Sequence, residues 1–568
     1  MTLRALLLPV LLISAASVLP FLPVLDAGFV NWDDDQNFVT NEHYRGLSLE
    51  HLRWMFTTLH YGGYHPLSWL SVALDHAVWG MDPRGYHLTN LLLHAANTLL
   101  LFGLLCELAR TAAQRLAGHV VPAATGAALL FAVHPLRVET VAWITERRAL
   151  LACGFLLGTV WCYLRAHRLG ARRAWVLQGM AVLAYAGSLL SKGMAVTLPV
   201  LLLLLDAYPL HRLRRWSDLL PRTIEKLPYF ALAAGVGYLA RLAQQEGDAV
   251  RSLAEHGPLG RIAQAAYALC FYLLRTVWPA DLCALHPLER ALNATEPRFL
   301  LAFGGVLAIT AAALWLRRRV PVVLAGWSSY VLILLPVSGV VQSGPQLVAE
   351  RYAYLASLPL AALTAAALSR APRRVWLPLV AAVAVLFGVL SYRQCGVWHD
   401  SVRLWTRVVA VHPDGIQGQF NLANALRLES RHDAAARHYA KVTEFVPRHG
   451  AAWYYLGLSL LQQKRNADAA AALRRAHDLA ADGYWVVRPR SVEVRYCLGL
   501  AHHLAGQDGD AVEHLQVARR LDPSFAPTYT VLGSALRRLG RGLEAEQVLR
   551  AGRAIAPPNG QPHDGRVP

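Results

Sequence analysis

Charge is scarce in this chain. Only 16% of its 568 residues are Asp, Glu, Lys or Arg, against 55% hydrophobic residues, and the mean hydropathy is +0.32. That balance excludes a disordered polymer and argues against an ordinary soluble enzyme. Acids are the scarcer sign, 37 against 55 Lys and Arg, which leaves a formal net charge of +18. The surplus is not a nucleic-acid footprint. The arginines gather in short stretches between apolar runs, as in RAHRLGARRA and HRLRRW, which is how inside loops of membrane proteins are charged. Cysteine is sparse too: Cys106, Cys153, Cys162, Cys270, Cys283, Cys395 and Cys497 are scattered, mostly in apolar runs. No pair has metal-ligand spacing and no disulfide framework is legible. The first apolar run, LRALLLPVLLISAASVLPFLPVL, has only Arg4 within its start and no small-x-small cleavage site before Asp26, so it reads as a retained span.

What is abundant is apolar sequence of membrane-spanning length. Candidate spans fall at roughly 5–25, 88–108, 119–134, 140–165, 174–190, 193–207, 227–243, 261–278, 299–316, 320–339, 350–369 and 374–392. With the N-terminus inside, Arg165–Arg173 and His211–Lys226 fall inside. Arg317–Arg319 and Arg370–Arg374 do so only if 261–278 lies at the surface or re-enters. About eleven true spans follow, with the segment 26–87 as a large external loop. Within it LSLEHLRWMFTTL and GGYHPLSWLSVALDHAVWG carry apolar and aromatic residues at helical spacing, suited to helices lying along the membrane.

After Trp405 the pattern changes to a repeat. Leu422–Ala423 and Leu456–Gly457 are 34 residues apart, and so are Leu498–Gly499 and Leu532–Gly533. Ala435, Ala469, Ala511 and Ala545 follow at one offset, and Pro413, Pro447, Pro523 and Pro557 keep the register. Period, small residues where helices cross and closing prolines resemble tetratricopeptide repeats, which stack into a superhelix that holds peptides or proteins. The wider middle spacing implies an insertion around DGYWVVRPR. The expected fold is therefore all-α: a polytopic helical membrane domain over 1–395, a domain of about four repeats over 396–558, and a disordered tail over 559–568.

Asp33, Asp34 and Asp35 stand together just beyond the first span. They read as a hydrated loop, as a metal site, or as a general base beside like charges; no His or Glu at ligand spacing accompanies them. Other polar residues fall on the same external side: His134, Arg137, Glu139, Glu146, Arg147 and Arg148 in FAVHPLRVETVAWITERRALL, Lys192 between two spans, and Glu350 and Arg351 at the head of another. Charges at such depths are costly and mark a site by default. Cations ringing an acidic loop suit a lipid-linked phosphate held near a base.

At these residues the chain resembles a family. WDDD, YHPLSWLSVALDHAVWGMDPRGYHLTNLLLHAANTLLLF, LLFAVHPLRVETVAWITERRALLA, LLSKGMAVTLPV and VAERYAYLASL, in that order, are similar to the transmembrane-and-TPR O-mannosyltransferases, which belong to the GT-C glycosyltransferases. The resemblance implies transfer of a sugar, mannose favoured, from a polyprenyl phosphate to hydroxyl groups of exported proteins held by the repeats. It aligns the family's acidic pair with Asp33, the expected base, and Asp34, its partner or stand-in. Arg147, Lys192 and Arg351 are then the expected phosphate-binding cations, and His65, His134 and Glu139 further substrate-site candidates. No cofactor or metal is expected, and no nucleic acid; the partners are the lipid-linked sugar, a protein or peptide acceptor and the bilayer. This chain departs from the family in reading YHP where YRP is expected, so His65 replaces a cation, and in having fewer repeats than the longer eukaryotic members.

The competing class is a non-enzymatic membrane-anchored scaffold whose repeats dock proteins; it leaves the external acids and cations without a role. A transporter would want inverted repeats and broken helices at the midplane, and neither is read here. The chain shows no ER-retention tail or transit peptide, and its Ala/Arg-rich composition reads as bacterial. The expected location is the inner membrane, with acidic loop and repeats in the periplasm, or the ER membrane with both in the lumen.

Overall fold

The computed structural model describes residues 3–112, 117–246, 257–289, 292–340, 344–481 and 491–555. Across these the chain is helical almost throughout, and one short antiparallel pairing joins His286–Pro287 to Gln346–Val348. The fold is all-α. Two compact units are present, Met1–Arg407 and Val408–Pro568. The expected boundary, 395/396, lies earlier, because indoles bind the following stretch to the first unit. Trp398 stacks on Trp143 at 5.9 Å, and Trp405 meets Trp32 edge-on at 5.1 Å and donates to Asn31 Oδ1 at 2.6 Å.

In the first unit, six helices among the described residues are long and apolar enough to cross a membrane, or seven if one bent pair counts as a span. Eleven were expected. Gly193–Ala207, Leu227–Ala243 and Pro321–Val337 are apolar helices of 10–17 residues, and Ala353–Leu368 has 16, so length and composition alone do not carry them across. The segment 261–278 falls on the helix Pro258–Val277 and its C-cap Trp278, and that helix does not pass the test. Faces of the long helices leave large apolar side chains outward, such as Leu183 (73%), Leu301 (76%) and Val385 (69%), as lipid-facing helices do.

The bent pair positions the site. Helix His119–Ala132 gives way at Pro135 to Pro135–Ala142, turned by 61°. Proline lacks the N–H that would continue the ladder, so carbonyls near the bend need other donors. The 30-residue helix Pro83–Ala112 supplies them from one stripe. His94 Nε2 donates to Ala132 O at 3.0 Å, Asn90 Nδ2 to Val141 O and Trp143 O at 3.1 and 3.2 Å, and Asn97 Nδ2 to Leu150 O at 2.9 Å. Ser391 Oγ donates to Val133 O at 2.7 Å. These bonds hold a stretch of short, broken helical turns that carries Glu139, Glu146 and Arg147 deep into the unit.

The segment 26–87 forms its own small core. The two amphipathic stretches are helices, Leu49–Thr57, capped by Ser48, and Pro66–Trp79. They pack Met55, Trp69 and Val72 against Phe38, Tyr44, Tyr86 and Ile144.

Among the described residues the second unit holds four helix pairs after the end of Ser401–Val411: Ile416–Leu428 with His432–Phe445, Gly450–Gln462 with Asn466–Ala481, Ser491–Leu504 with Asp508–Leu521, and Pro527–Arg538 with Gly542–Ile555. The small residues read from the period sit where helices touch. Ala435, Ala469, Ala511 and Ala545 are fully buried. A Cβ on Gly457, Gly499 or Gly533 would meet Leu473, Leu515 or Leu549 at 2.5, 2.6 and 2.6 Å. The insertion at DGYWVVRPR, Pro557 and the tail 559–568 lie outside the described residues.

Candidate functional site

Trp143 Nε1 donates to Trp32 O at 2.7 Å and fixes the start of the acidic turn. Beyond it the three acids diverge. Asp34 is 1% exposed. One of its oxygens accepts from Thr145 N at 3.1 Å and Thr145 Oγ1 at 2.7 Å, the other from Val30 N at 3.2 Å. Burial pushes its pKa up to about 7 against these bonds. With both oxygens engaged, Asp34 is a pin between the turn and Thr145, not the stand-in base that was expected. Asp35 opens the π-helical turn Asp35–Val39 and is part-exposed. Asp33 has φ 66, a left-handed conformation that only Asn, Asp and Gly adopt readily. No hydrogen bond holds its carboxylate among the described residues. Burial raises its pKa, and Arg148 and Arg351 pull it back.

Asp33 lines a cavity of ≈ 130 Å³ together with Asn37, His60, His65, Trp69 and Arg148. Tyr61, at φ 55, stands on the same cavity and is 62% exposed. A left-handed tyrosine is a strained residue, and strain of this kind clusters at functional sites. His60 Nε2, His65 Nδ1 and Trp69 Nε1 are buried without a hydrogen-bond partner. Burial, reinforced by Arg148 and Lys192, holds the His65 pKa down at about 3, so its imidazole is neutral.

The cations meet at Glu146, which is fully buried. Arg148 Nε lies 3.2 Å from Glu146 Oε1, Lys192 Nζ 2.7 Å from Oε2 and Arg351 Nε 3.8 Å from Oε1. Arg351 also holds Glu139, through NH1 and its backbone N–H, both at 2.7 Å, and packs over Trp143 and Tyr352 at 5.3 and 5.0 Å. Glu139 therefore orients a cation. Arg147 differs from the expectation: its side chain is 1% exposed and donates to Asp75 at 2.7 Å, Ser71 at 2.8 Å, Tyr86 O at 2.7 Å and Asn90. Its guanidinium locks the helix Pro66–Trp79 to the helix Pro83–Ala112. Both Arg147 and Arg148 line the cavity, but Arg148, one residue on and 24% exposed, is the one that reaches Glu146. His134 is also structural. Nε2 donates to Thr276 O at 2.9 Å, Nδ1 accepts from Leu136 N at 3.1 Å, and the ring packs on Phe387. Both nitrogens serve the bend, away from the cavity.

Sequence reasoning passes over His60, Tyr61, Trp69 and Thr145. The available hint was HYGGYHP, where two glycines follow the left-handed Tyr61.

A family model described as tetratricopeptide repeat matches residues 431–484. Protein O-mannosyl-transferase Tmtc1 of Drosophila melanogaster is 33% identical over 192 residues, covering 32% of this chain and 21% of that protein. Protein O-mannosyl-transferase TMTC1 of Homo sapiens is 26% identical over 506 residues, covering 78% of this chain and 56% of that protein. By sequence the chain is similar to the TMTC protein O-mannosyl-transferases. The likeness to human TMTC1 is longer than either compact unit, so it takes in part of both. The matched part is about a fifth of the fly TMTC relative's length and just over half of the human one's. Among solved structures, the crystal structure of MamA is 20% identical, with 27% of this chain and 85% of that chain covered at TM-score 0.25. YrrB, titled a TPR protein with an unusual peptide-binding site, is 16% identical, with 32% and 84% covered at TM-score 0.26.

Proposed function

We propose that the protein is an integral membrane glycosyltransferase. It moves a sugar, mannose first, from a polyprenyl-phosphate carrier to hydroxyl groups of exported proteins, and its repeats hold the acceptor. The observation that carries this reading is a strained carboxylate, Asp33, on one cavity with Arg148, which Glu146 gathers with Lys192 and Arg351. The open polar atoms of His60, His65 and Trp69 support it. Buried polar groups are nearly always paired, so three left open on one cavity suit the hydroxyls of a sugar ring. Neutral His65 offers one donor and one acceptor, the valence of a hydroxyl partner.

In the transfer step Asp33 takes the proton of the acceptor hydroxyl as its oxygen bonds to the anomeric carbon. The bond from that carbon to the phosphate oxygen breaks, and its electron pair leaves with the lipid phosphate. Arg148, Lys192 and Arg351 meet the added negative charge. Glu146 keeps the three cations together before the donor arrives, Glu139 orients Arg351, and Asp34 holds the turn that presents Asp33. The site faces the periplasm, or the ER lumen in a eukaryotic cell, where exported chains arrive. The test is transfer from polyprenyl-phosphate mannose to secreted polypeptides by the purified, membrane-reconstituted protein, with glycoproteomes of cells that have or lack it. Transfer and a lost set of glycopeptides are expected; no transfer and identical glycoproteomes would leave the scaffold reading.

A further inference from the structure

In the second unit the turn between Ser491–Leu504 and Asp508–Leu521 runs HHLAGQD. Its left-handed Gly506, at φ 80, brings Asp508 back against His503. Asp508 Oδ1 accepts from His503 Nδ1, so that nitrogen carries the proton and Nε2 keeps a lone pair. Nε2 in turn accepts from Ser534 Oγ at 3.1 Å, and Ser534 lies well inside Pro527–Arg538. His503 and Asp508 are 6% and 9% exposed while Ser534 is half-buried, so the base is sheltered and the hydroxyl is within reach of solvent. A carboxylate on one imidazole nitrogen and a serine hydroxyl on the other is the arrangement that activates a nucleophile.

The repeat itself does not call for these residues. In the register set by Leu456, Leu498 and Leu532, Leu461 stands one repeat earlier at the place of His503, Asn466 at that of Asp508 and Leu500 at that of Ser534. Leucines serve the earlier junction, so the chain of polar groups is an addition to the scaffold. Arg538 follows Ser534 by four residues on the same helix face, donates to His503 O at 3.0 Å and lies 3.9 Å from Asp508 Oδ2. It sets a positive charge one turn from the hydroxyl.

We propose that Asp508, His503 and Ser534 form a second reactive centre, at which Ser534 accepts an acyl group from an ester. His503 Nε2 takes the Ser534 proton as Oγ bonds to the ester carbonyl carbon. The bond from that carbon to the leaving alcohol oxygen breaks, the electron pair leaves with the oxygen, and Nε2 returns the proton to it. Water attacks the acyl-serine by the same route, releases the acid and restores Ser534. The N–H of Ser534 is taken up within its helix, so the charge developing on the carbonyl oxygen falls to the Arg538 guanidinium. The centre uses no residue of the first unit and stands whether or not the transferase reading does.

The test treats the full chain in lipid nanodiscs with a fluorophosphonate, whose fluoride a serine oxygen displaces at phosphorus, and maps the labelled peptides over time. Ser524, exposed and bonded to Asp522, is the internal comparison. Ser534 should be labelled at least about tenfold faster than Ser524, and His503→Gln and Asp508→Asn should each slow its labelling by at least about tenfold. Hydrogen exchange verifies that Pro527–Arg538 stays helical in each variant. Wild type should hydrolyse p-nitrophenyl acetate, and Ser534→Ala should not. Labelling of Ser534 no faster than of Ser524 would overturn the inference. Fast labelling that persists in folded His503→Gln and Asp508→Asn would overturn it too, since the histidine would then be only a buried hydrogen-bond partner. If His503→Gln does not fold, the wild-type ratio and Asp508→Asn decide between the same outcomes.

Discussion

Replacing Asp33 by asparagine should remove a proton acceptor and little else. The backbone there is left-handed at φ 66, a conformation asparagine tolerates as well as aspartate does. No hydrogen bond to the carboxylate is lost, so stability should move by less than about 0.5 kcal/mol, the usual range away from specific contacts. A general base contributes about 10²–10⁴-fold. At about 1.4 kcal/mol per decade that is roughly 3–5 kcal/mol of barrier, far beyond any change in folding. Removing a negative charge beside Arg148 and Arg351 should leave donor phosphate binding unchanged or tighter. The pH profile gives a second reading. Burial raises the Asp33 pKa above 3.8, and the group must be ionised to accept a proton. Wild-type turnover should therefore fall as pH drops through that raised value, and the residual rate of Asp33→Asn should lack this limb. Turnover, donor binding and thermal unfolding of purified Asp33→Asn are measured beside Asp34→Asn and Asp35→Asn. Asp34→Asn puts an amide where three donors point and should cost about 1–3 kcal/mol of stability. Asp35→Asn should resemble wild type. An Asp33→Asn protein that turns over within about threefold of wild type would refute the assignment of the base.

Neighbouring arginines should separate cleanly. Arg148→Gln should weaken donor binding at least about tenfold with little change in melting. Arg147→Gln breaks the buried pair with Asp75 and should instead cost about 3–5 kcal/mol of stability; equal effects on donor binding would erase the distinction. In the repeats, Gly499→Ala drives a Cβ to 2.6 Å from Leu515 and should destabilise that unit by about 1–3 kcal/mol, read by hydrogen exchange in the full chain. Gly509→Ala, with nothing within 4 Å, is the control and should not. A reporter fused after Ile555 should be active only in the exported compartment; cytoplasmic activity would contradict the parity of spans.

The repeats were the most legible part of the chain. A 34-residue period needs only local sequence, because each glycine or alanine meets a partner in its own helix pair, as Gly457 meets Leu473. The spans were legible as apolar runs but not as crossings. The 3-10 stretches Ile144–Glu146 and Gly193–Thr197 fall inside candidate spans 140–165 and 193–207, which hydropathy reads as continuous. The acids were legible as a cluster and not as separate roles. Adjacent residues in a turn face different ways, and Thr145, 111 positions along the chain, decides which of them is tied down.

By itself the sequence determined the all-α class, the membrane-bound character of the first unit, the repeats, and the choice of Asp33, Lys192, Arg351 and His65 as residues to examine. Those follow from composition, period and charge in apolar surroundings, all of which are local, except His65, which the family resemblance alone singled out. Only the tertiary structure decided which of two cavity-lining arginines joins the cations on Glu146. Arg147 and Arg148 are indistinguishable in the string ERR, yet their side chains leave the helix start in different directions. One reaches Asp75, Asn90 and Tyr86 on the helices behind it, and the other reaches Glu146 beside Lys192. Partners brought together from 72, 57 and 61 residues away make that difference, and no spacing along the chain encodes it.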